Sequence, residues 1–149
     1  VWVFEKTLGE VVGDLLDTRW EIRHGAAAGA RELLKRHPTG QVGATLAPLL
    51  RLLIRDRFSD FAGDRLVSPV REAAAQALGL AVMRLGPLSE AAARVLAVLS
   101  EMARWEGDWE VRQSALLALK YLLALAPPPA ASPLGLAARH MVLEALKDQ

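Results

Sequence analysis

Apolar residues recur along this chain at spacings of three and four, the period of a helix with one buried stripe. Phe4, Leu8, Val11, Val12 and Leu15 form one stripe, Leu46, Leu49, Leu50 and Leu53 a second, and Ala92, Val95, Leu96 and Leu99 a third. A further helix is expected from about Leu134 to Lys147, with Ala138, Met141, Val142 and Ala145 facing inward. Few stretches alternate with period two over a strand length, so helix is the expectation almost everywhere. Alanine and leucine, both strong helix formers, dominate the chain.

Between the stripes lies an internal repeat. Three segments align on one arginine: Trp20-Glu21-Ile22-Arg23-His24-Gly25-Ala26, Ser68-Pro69-Val70-Arg71-Glu72-Ala73-Ala74 and Trp109-Glu110-Val111-Arg112-Gln113-Ser114-Ala115. The arginines stand 48 and 41 residues apart, close to the ~40–47-residue period of helical hairpin repeats. Downstream, small residues fall in register at Ala26, Ala74 and Ala115, and again at Gly29, Ala77 and Ala118. Leu33-Leu34, Ala81-Val82 and Leu122-Leu123 follow on the same helical face. These segments predict inner helices whose small residues let a neighbour approach closely.

Local signals mark the helix ends. Thr18 and Glu21 have the spacing of a capping box. Ser68 precedes a proline, which is tolerated at the first helical position, and Asp108 can cap the third inner helix. His37-Pro38-Thr39-Gly40, Gly86-Pro87 and the stretch from Ala126 to Pro133 read as breaks. The expected fold is therefore all-α, a HEAT-repeat α-solenoid. It has three antiparallel helix pairs over about 3–37, 42–85 and 89–125, and a final helix over 134–147, in a single array segment spanning 1–149. Each hairpin is amphipathic and buries its apolar face only by stacking on a neighbour. With no starting Met and apolar surface expected at both ends, the chain reads as part of a longer protein.

Charge adds a second layer. The net charge is +1, but residues 19–71 hold ten Lys/Arg against five Asp/Glu, while residues 1–18 are net −3. A basic middle suits an acidic surface or nearby nucleic acid, although its cations are interleaved with acids and lack an aromatic stacking pattern. There is no cysteine, hence no thiolate site. No run of 18 apolar residues is present, so no membrane span is expected.

Motifs for catalysis are not found. No lysine follows glycine in P-loop order, and His24, His37 and His140 lack metal-ligand spacing. The expectation is no enzyme, no cofactor and no metal. Arg23, Arg71 and Arg112 could form an anion-binding ladder, but recurrence in every repeat favours a stacking role. Each would reach an acid or free carbonyl, with Asp17, Asp64 and Asp108 as candidate partners. Trp20 and Trp109, at equivalent helix starts, are expected to pack, while Trp105 and Trp2 are left open. The most unusual stretch is Asp56-Arg57-Phe58-Ser59-Asp60-Phe61-Ala62-Gly63-Asp64-Arg65, which joins the helices of the second pair. It mixes aromatics with both signs of charge in a loop on a rigid scaffold.

These residues carry a family resemblance. HEAT proteins often place an apolar residue, Arg and a small residue at the inner-helix start. Trp20 to Ala27 with Arg31-Glu32-Leu33-Leu34-Lys35 resembles the N-terminal HEAT region of the TATA-binding-protein-associated DNA translocases, the modifier-of-transcription family. So do Asp56 to Phe61, Pro69-Val70-Arg71-Glu72 with Ala75 to Gly79, and Trp109 to Arg112 with Leu119-Lys120-Tyr121. The blocks follow in the family's order over roughly residues 18–125. The resemblance implies a nuclear transcription regulator whose HEAT array grips the TATA-binding protein, while a separate C-terminal ATPase drives its removal from DNA. Two features depart from the pattern: the connection from Arg36 to Gly43 is short, and Gln113-Ser114 replaces His-Gly. The residues expected to meet the partner are Arg57, Phe58, Asp60 and Phe61, with Trp105 behind them. Any DNA contact would be indirect. The competing expectation is a generic HEAT adaptor for another protein.

Overall fold

The computed structural model describes residues 3–36, 40–57 and 68–147. Among these residues there are seven α-helices and no strand: α1 (Val3–Asp14), α2 (Trp20–Arg36), α3 (Val42–Arg55), α4 (Pro69–Leu85), α5 (Glu90–Ala103), α6 (Trp109–Leu125) and α7 (Pro133–Lys147). The all-α expectation holds, and the helices pair and stack as in an α-solenoid. Even-numbered helices form one layer, in which α4 lies between α2 and α6. Odd-numbered helices form the other, with α1 on α2, α3 on α4, α5 on α6, and α7 against α5.

The inner layer is tight because its contact positions are small. Ala26, Ala74, Ala77, Ala115 and Ala118 are all buried. At Gly79 a Cβ would lie 3.0 Å from both the Tyr121 carbonyl oxygen and Leu125 Cδ1. The α4 and α6 backbones therefore meet where only glycine fits. Larger residues of the outer helices fill the space between layers: Leu49, Leu53, Val95 and Leu99 join the inner-helix leucines in one core.

Three local expectations need correction. Val142 does not face inward but is exposed, whereas Ala138 and Met141 are buried. The cause is that α7 packs mainly against α5, while Val142 lines an open groove between α7 and Leu116 and Leu119 of α6. At the start of α2 the turn is closed by Asp17, whose Oδ1 accepts from the Arg19 N–H at 2.8 Å, rather than by a Thr18–Glu21 box. Asp108 precedes α6 but makes no side-chain capping bond, because its carboxylate is engaged elsewhere. Ser89 is a working cap: its Oγ accepts from the Ala92 N–H at 3.1 Å at the start of α5.

Candidate partner-binding edge

The helix ends along one edge are organised by a single acid. Asp56 stops α3 in extended backbone (φ −65°, ψ 138°) and its side chain is buried. Arg23 of α2 donates to Asp56 Oδ1 through Nη2 at 3.0 Å and Nε at 3.3 Å. Its Nη1 donates to the Asp17 and Thr18 carbonyls at 3.0 and 2.9 Å. Arg71 of α4 brings its Nε to 3.5 Å from Asp56 Oδ2, and the Ser68 hydroxyl donates to the same oxygen at 3.4 Å. Arg71 also donates through Nη1 to the Glu110 carbonyl at 3.0 Å and to Ser114 Oγ at 3.2 Å. Its Nη2 meets Glu110 Oε1 at 3.4 Å. A charge removed from water must be paired, and here each buried charge is. Burial pulls the Arg71 pKa below the usual guanidinium range, against the opposing pull of Asp56 and Glu110.

The repeated arginines thus bind acids and carbonyls of adjoining elements. Among the described residues, Asp17 offers Arg23 its backbone carbonyl and Asp108 pairs with Arg57 rather than Arg112, while Asp56 and Glu110 are acids that Arg23 and Arg71 meet. Asp64 lies outside the described residues. Arg112 donates to the Trp105 carbonyl at 2.7 Å, within its own pair.

Arg57 follows Asp56 and reaches the next pair. Its Nη2 is 3.0 Å from Asp108 Oδ2 and its Nε 3.4 Å from Glu110 Oε2. Its Nη1 donates to the Ile54 carbonyl and, at 3.3 Å, to that of Asp56. The root of the loop after α3 is therefore tied to the turn between α5 and α6. That turn carries Trp105, 55% exposed, whose indole folds back so that a Cβ at Gly107 would meet its Nε1 at 3.0 Å. Trp109 is 52% exposed, contrary to the packing expected of it. Its counterpart Trp20 does pack on the core, and its ring stacks on His24 at 6.4 Å. Phe58, Asp60 and Phe61 lie outside the described residues, so of the five residues expected at the partner surface the structure places Arg57 and Trp105. Trp2 also lies outside them.

A second polar cluster crosses the inner layer. Arg31 of α2 donates to Gln76 Oε1 at 2.7 Å, Gln76 Nε2 donates to Tyr121 Oη at 3.1 Å, and the Tyr121 hydroxyl donates to Glu72. These ties line a groove of about 380 Å³ floored by Leu80 and Leu125. Among the described residues, no group of three or more His, Cys, Asp or Glu side chains could hold a metal ion. Among the described residues, no helix is long and apolar enough to cross a membrane.

No protein-family model matches the sequence, and no solved structure matches it. Curated proteins do. The chain is 37% identical over 142 residues to human TATA-binding protein-associated factor 172, a match covering 83% of this chain and 8% of that protein. It is 31% identical over 150 residues to TATA-binding protein-associated factor mot1 of Schizosaccharomyces pombe, covering 86% and 8%. A shorter match, 42% over 76 residues, links it to TATA-binding protein-associated factor BTAF1 of Arabidopsis thaliana, covering 51% and 4%. The chain belongs to the modifier-of-transcription family. It spans about 8% of the length of the human and S. pombe family members.

Proposed function

We propose that this chain is a HEAT-type segment of a nuclear transcription regulator and that it helps to hold the TATA-binding protein. The ATP-driven step of such a regulator would reside in another part of the parent protein. Membership of a family whose members are named for association with the TATA-binding protein supports the partner. The proposed surface is the loop after α3, with Phe58, Asp60 and Phe61 as contacts and Arg57 at its root, together with Trp105 on the turn before α6. The observation that carries this site is the Arg57–Asp108 pair, 3.0 Å long. It joins a loop of aromatic and charged residues to a turn bearing an exposed tryptophan. Aromatic residues and arginine are enriched at protein-binding hot spots. The partner makes any DNA contact, so contact by this chain is indirect.

Titration of the chain with purified TATA-binding protein by calorimetry tests the reading. Saturable binding that Phe58→Ala or Phe61→Ala weakens is expected. No heat at micromolar concentrations from a folded chain would instead favour a HEAT adaptor for a different protein.

A further inference from the structure

The inner layer carries a second surface, at the far end of its helices from the Trp105 turn. Trp109 opens α6 and Leu125 closes it, 17 residues or about 25 Å along. Near that far end, Leu125 and Tyr121 share a groove with Leu80 of α4. Its floor is apolar: Leu80 is buried, and Tyr121 and Leu125 pack partly buried against the core. Its α2 side is cationic. Arg31 and Lys35 line it, and Arg36 Nε lies 3.5 Å from Glu32 Oε2. Arg84 of α4 closes the end of α2 by donating to the Leu34 and Lys35 carbonyls at 2.9 and 2.5 Å. Among the described residues, Glu32 is the one carboxylate that pairs with any of these four cations, and it is divided between Arg31 and Arg36. Lys35 is exposed and has no carboxylate partner among them.

We propose that this groove docks an acidic segment of a partner protein. The segment would bring carboxylates to Lys35, Arg36 and Arg31, and a large apolar side chain to the floor of Leu80, Tyr121 and Leu125. Four cations around one shared acid leave the rim positive, and such a rim attracts an acidic chain and sets its direction. Exposed ion pairs add little affinity by themselves, so burial of the apolar side chain supplies most of it. Nucleic acid fits the groove less well. Its aromatic residue is Tyr121, and Lys120 Nζ stands 4.6 Å from the centre of that ring, over a face on which a base would stack. The Tyr121 hydroxyl is held by Gln76 and Glu72, so the ring is fixed as part of the floor. This site is separate from the proposed hold on the TATA-binding protein and does not rest on it.

Fluorescence anisotropy with labelled peptides tests it on the intact chain. The first peptide is a short run of glutamate and aspartate carrying two leucines one helical turn apart. The second has both leucines changed to alanine, and the third has its acids changed to amides. At about 0.15 M salt the first should bind saturably, and the other two should bind more weakly by about tenfold or more. Lys35→Glu should lower affinity for the first peptide by about tenfold or more. Arg51→Glu makes the same charge change at an exposed position of α3 and should leave affinity within about twofold. Amide resonances of Leu80 and Leu125 should shift on binding, and that of Trp109 should not. No saturable binding of the first peptide up to about 1 mM overturns the proposal. So does equal binding of the alanine peptide, or an equal loss from Lys35→Glu and Arg51→Glu, since either describes diffuse attraction to a basic surface. Tighter binding of a short oligothymidylate at the same residues would assign the groove to nucleic acid and overturn it too. None of these measurements involves the TATA-binding protein, so the two readings can fail separately.

Discussion

Arg23 and Asp56 stand 33 residues apart in sequence and meet at 3.0 Å, with side chains only 8% and 3% exposed. The contact fastens the start of α2 to the end of α3. Because Asp56 also faces Arg71, one carboxylate serves two guanidinium groups from consecutive inner helices. Neutralising it leaves both cations in a buried site without their shared counter-ion.

Asp56→Ala is therefore expected to destabilise the fold by about 3–5 kcal/mol, the range for breaking a buried ion pair by removing one partner. Urea unfolding followed by far-UV circular dichroism reads this as a lower midpoint at unchanged slope. A midpoint within error of the parent would mean that the Arg23 and Arg71 contacts with Asp56 contribute nothing to stability.

Two glycines at inner-helix contacts should respond in opposite directions to alanine. At Gly79 a new Cβ would press on the Tyr121 carbonyl at 3.0 Å, a backbone atom that cannot swing away. Overpacking of this kind costs about 1–3 kcal/mol, more than the ~1 kcal/mol that alanine gains in helix propensity. At Gly29 the nearest atoms are Val11 methyls at 3.6 and 3.7 Å, ordinary contact, so Gly29→Ala should stabilise by about 0.5–1 kcal/mol. Melting temperatures of the two variants should move apart, and a rise in both would contradict the close approach of α4 and α6.

The helices were legible because their signals are local. The stripe Leu46, Leu49, Leu50 and Leu53 and the recurring Ala26, Ala74 and Ala115 encode helical faces within a single turn or two, and periodicity reads them directly. The pairing of the arginines was legible only in kind. That Arg23 and Arg71 would seek acids followed from recurrence, but Asp56 became their partner because α3 ends at that residue and turns it inward. Such a placement depends on where a helix stops relative to its neighbours. The same limit applies to Asp108, whose sequence position before α6 suggests a cap while its spatial position beside Arg57 makes it a salt-bridge partner. Trp20 and Trp109 share a sequence position, yet Trp20 packs on the core while Trp109 is exposed, so the repeat position alone does not set burial. For the candidate surface, the loop's composition singled out Arg57 and its neighbours, but nothing in the sequence linked Arg57 to the Trp105 turn.

The Gln76–Tyr121 bond offers a test of how far the inner layer relies on polar ties. Tyr121→Phe removes the hydroxyl that receives Gln76 Nε2 at 3.1 Å and donates to Glu72, while keeping the ring against the core. A loss of about 0.5–1.5 kcal/mol is expected, the usual net worth of a hydrogen bond that is not fully buried. Chemical denaturation measures it directly. A loss beyond about 3 kcal/mol would mean the cluster holds α4 and α6 together, in place of the alanine and glycine contacts.

Trp105 and Trp20 separate binding from stability. Trp105 is 55% exposed on the turn between α5 and α6, so Trp105→Ala should change unfolding free energy by no more than about 0.5 kcal/mol, as surface substitutions do. If it belongs to the partner surface, the same change should lower affinity for the TATA-binding protein by about 2 kcal/mol or more, the scale of an aromatic hot spot. Trp20 packs on the core and stacks on His24, so Trp20→Ala should do the reverse. It should cost about 2–3 kcal/mol of stability, somewhat less than truncation of a fully buried aromatic, and leave affinity unchanged below the melting temperature. Calorimetric titration and thermal unfolding of both variants place each tryptophan on one axis. A Trp105→Ala chain that binds normally would remove the α5–α6 turn from the interface.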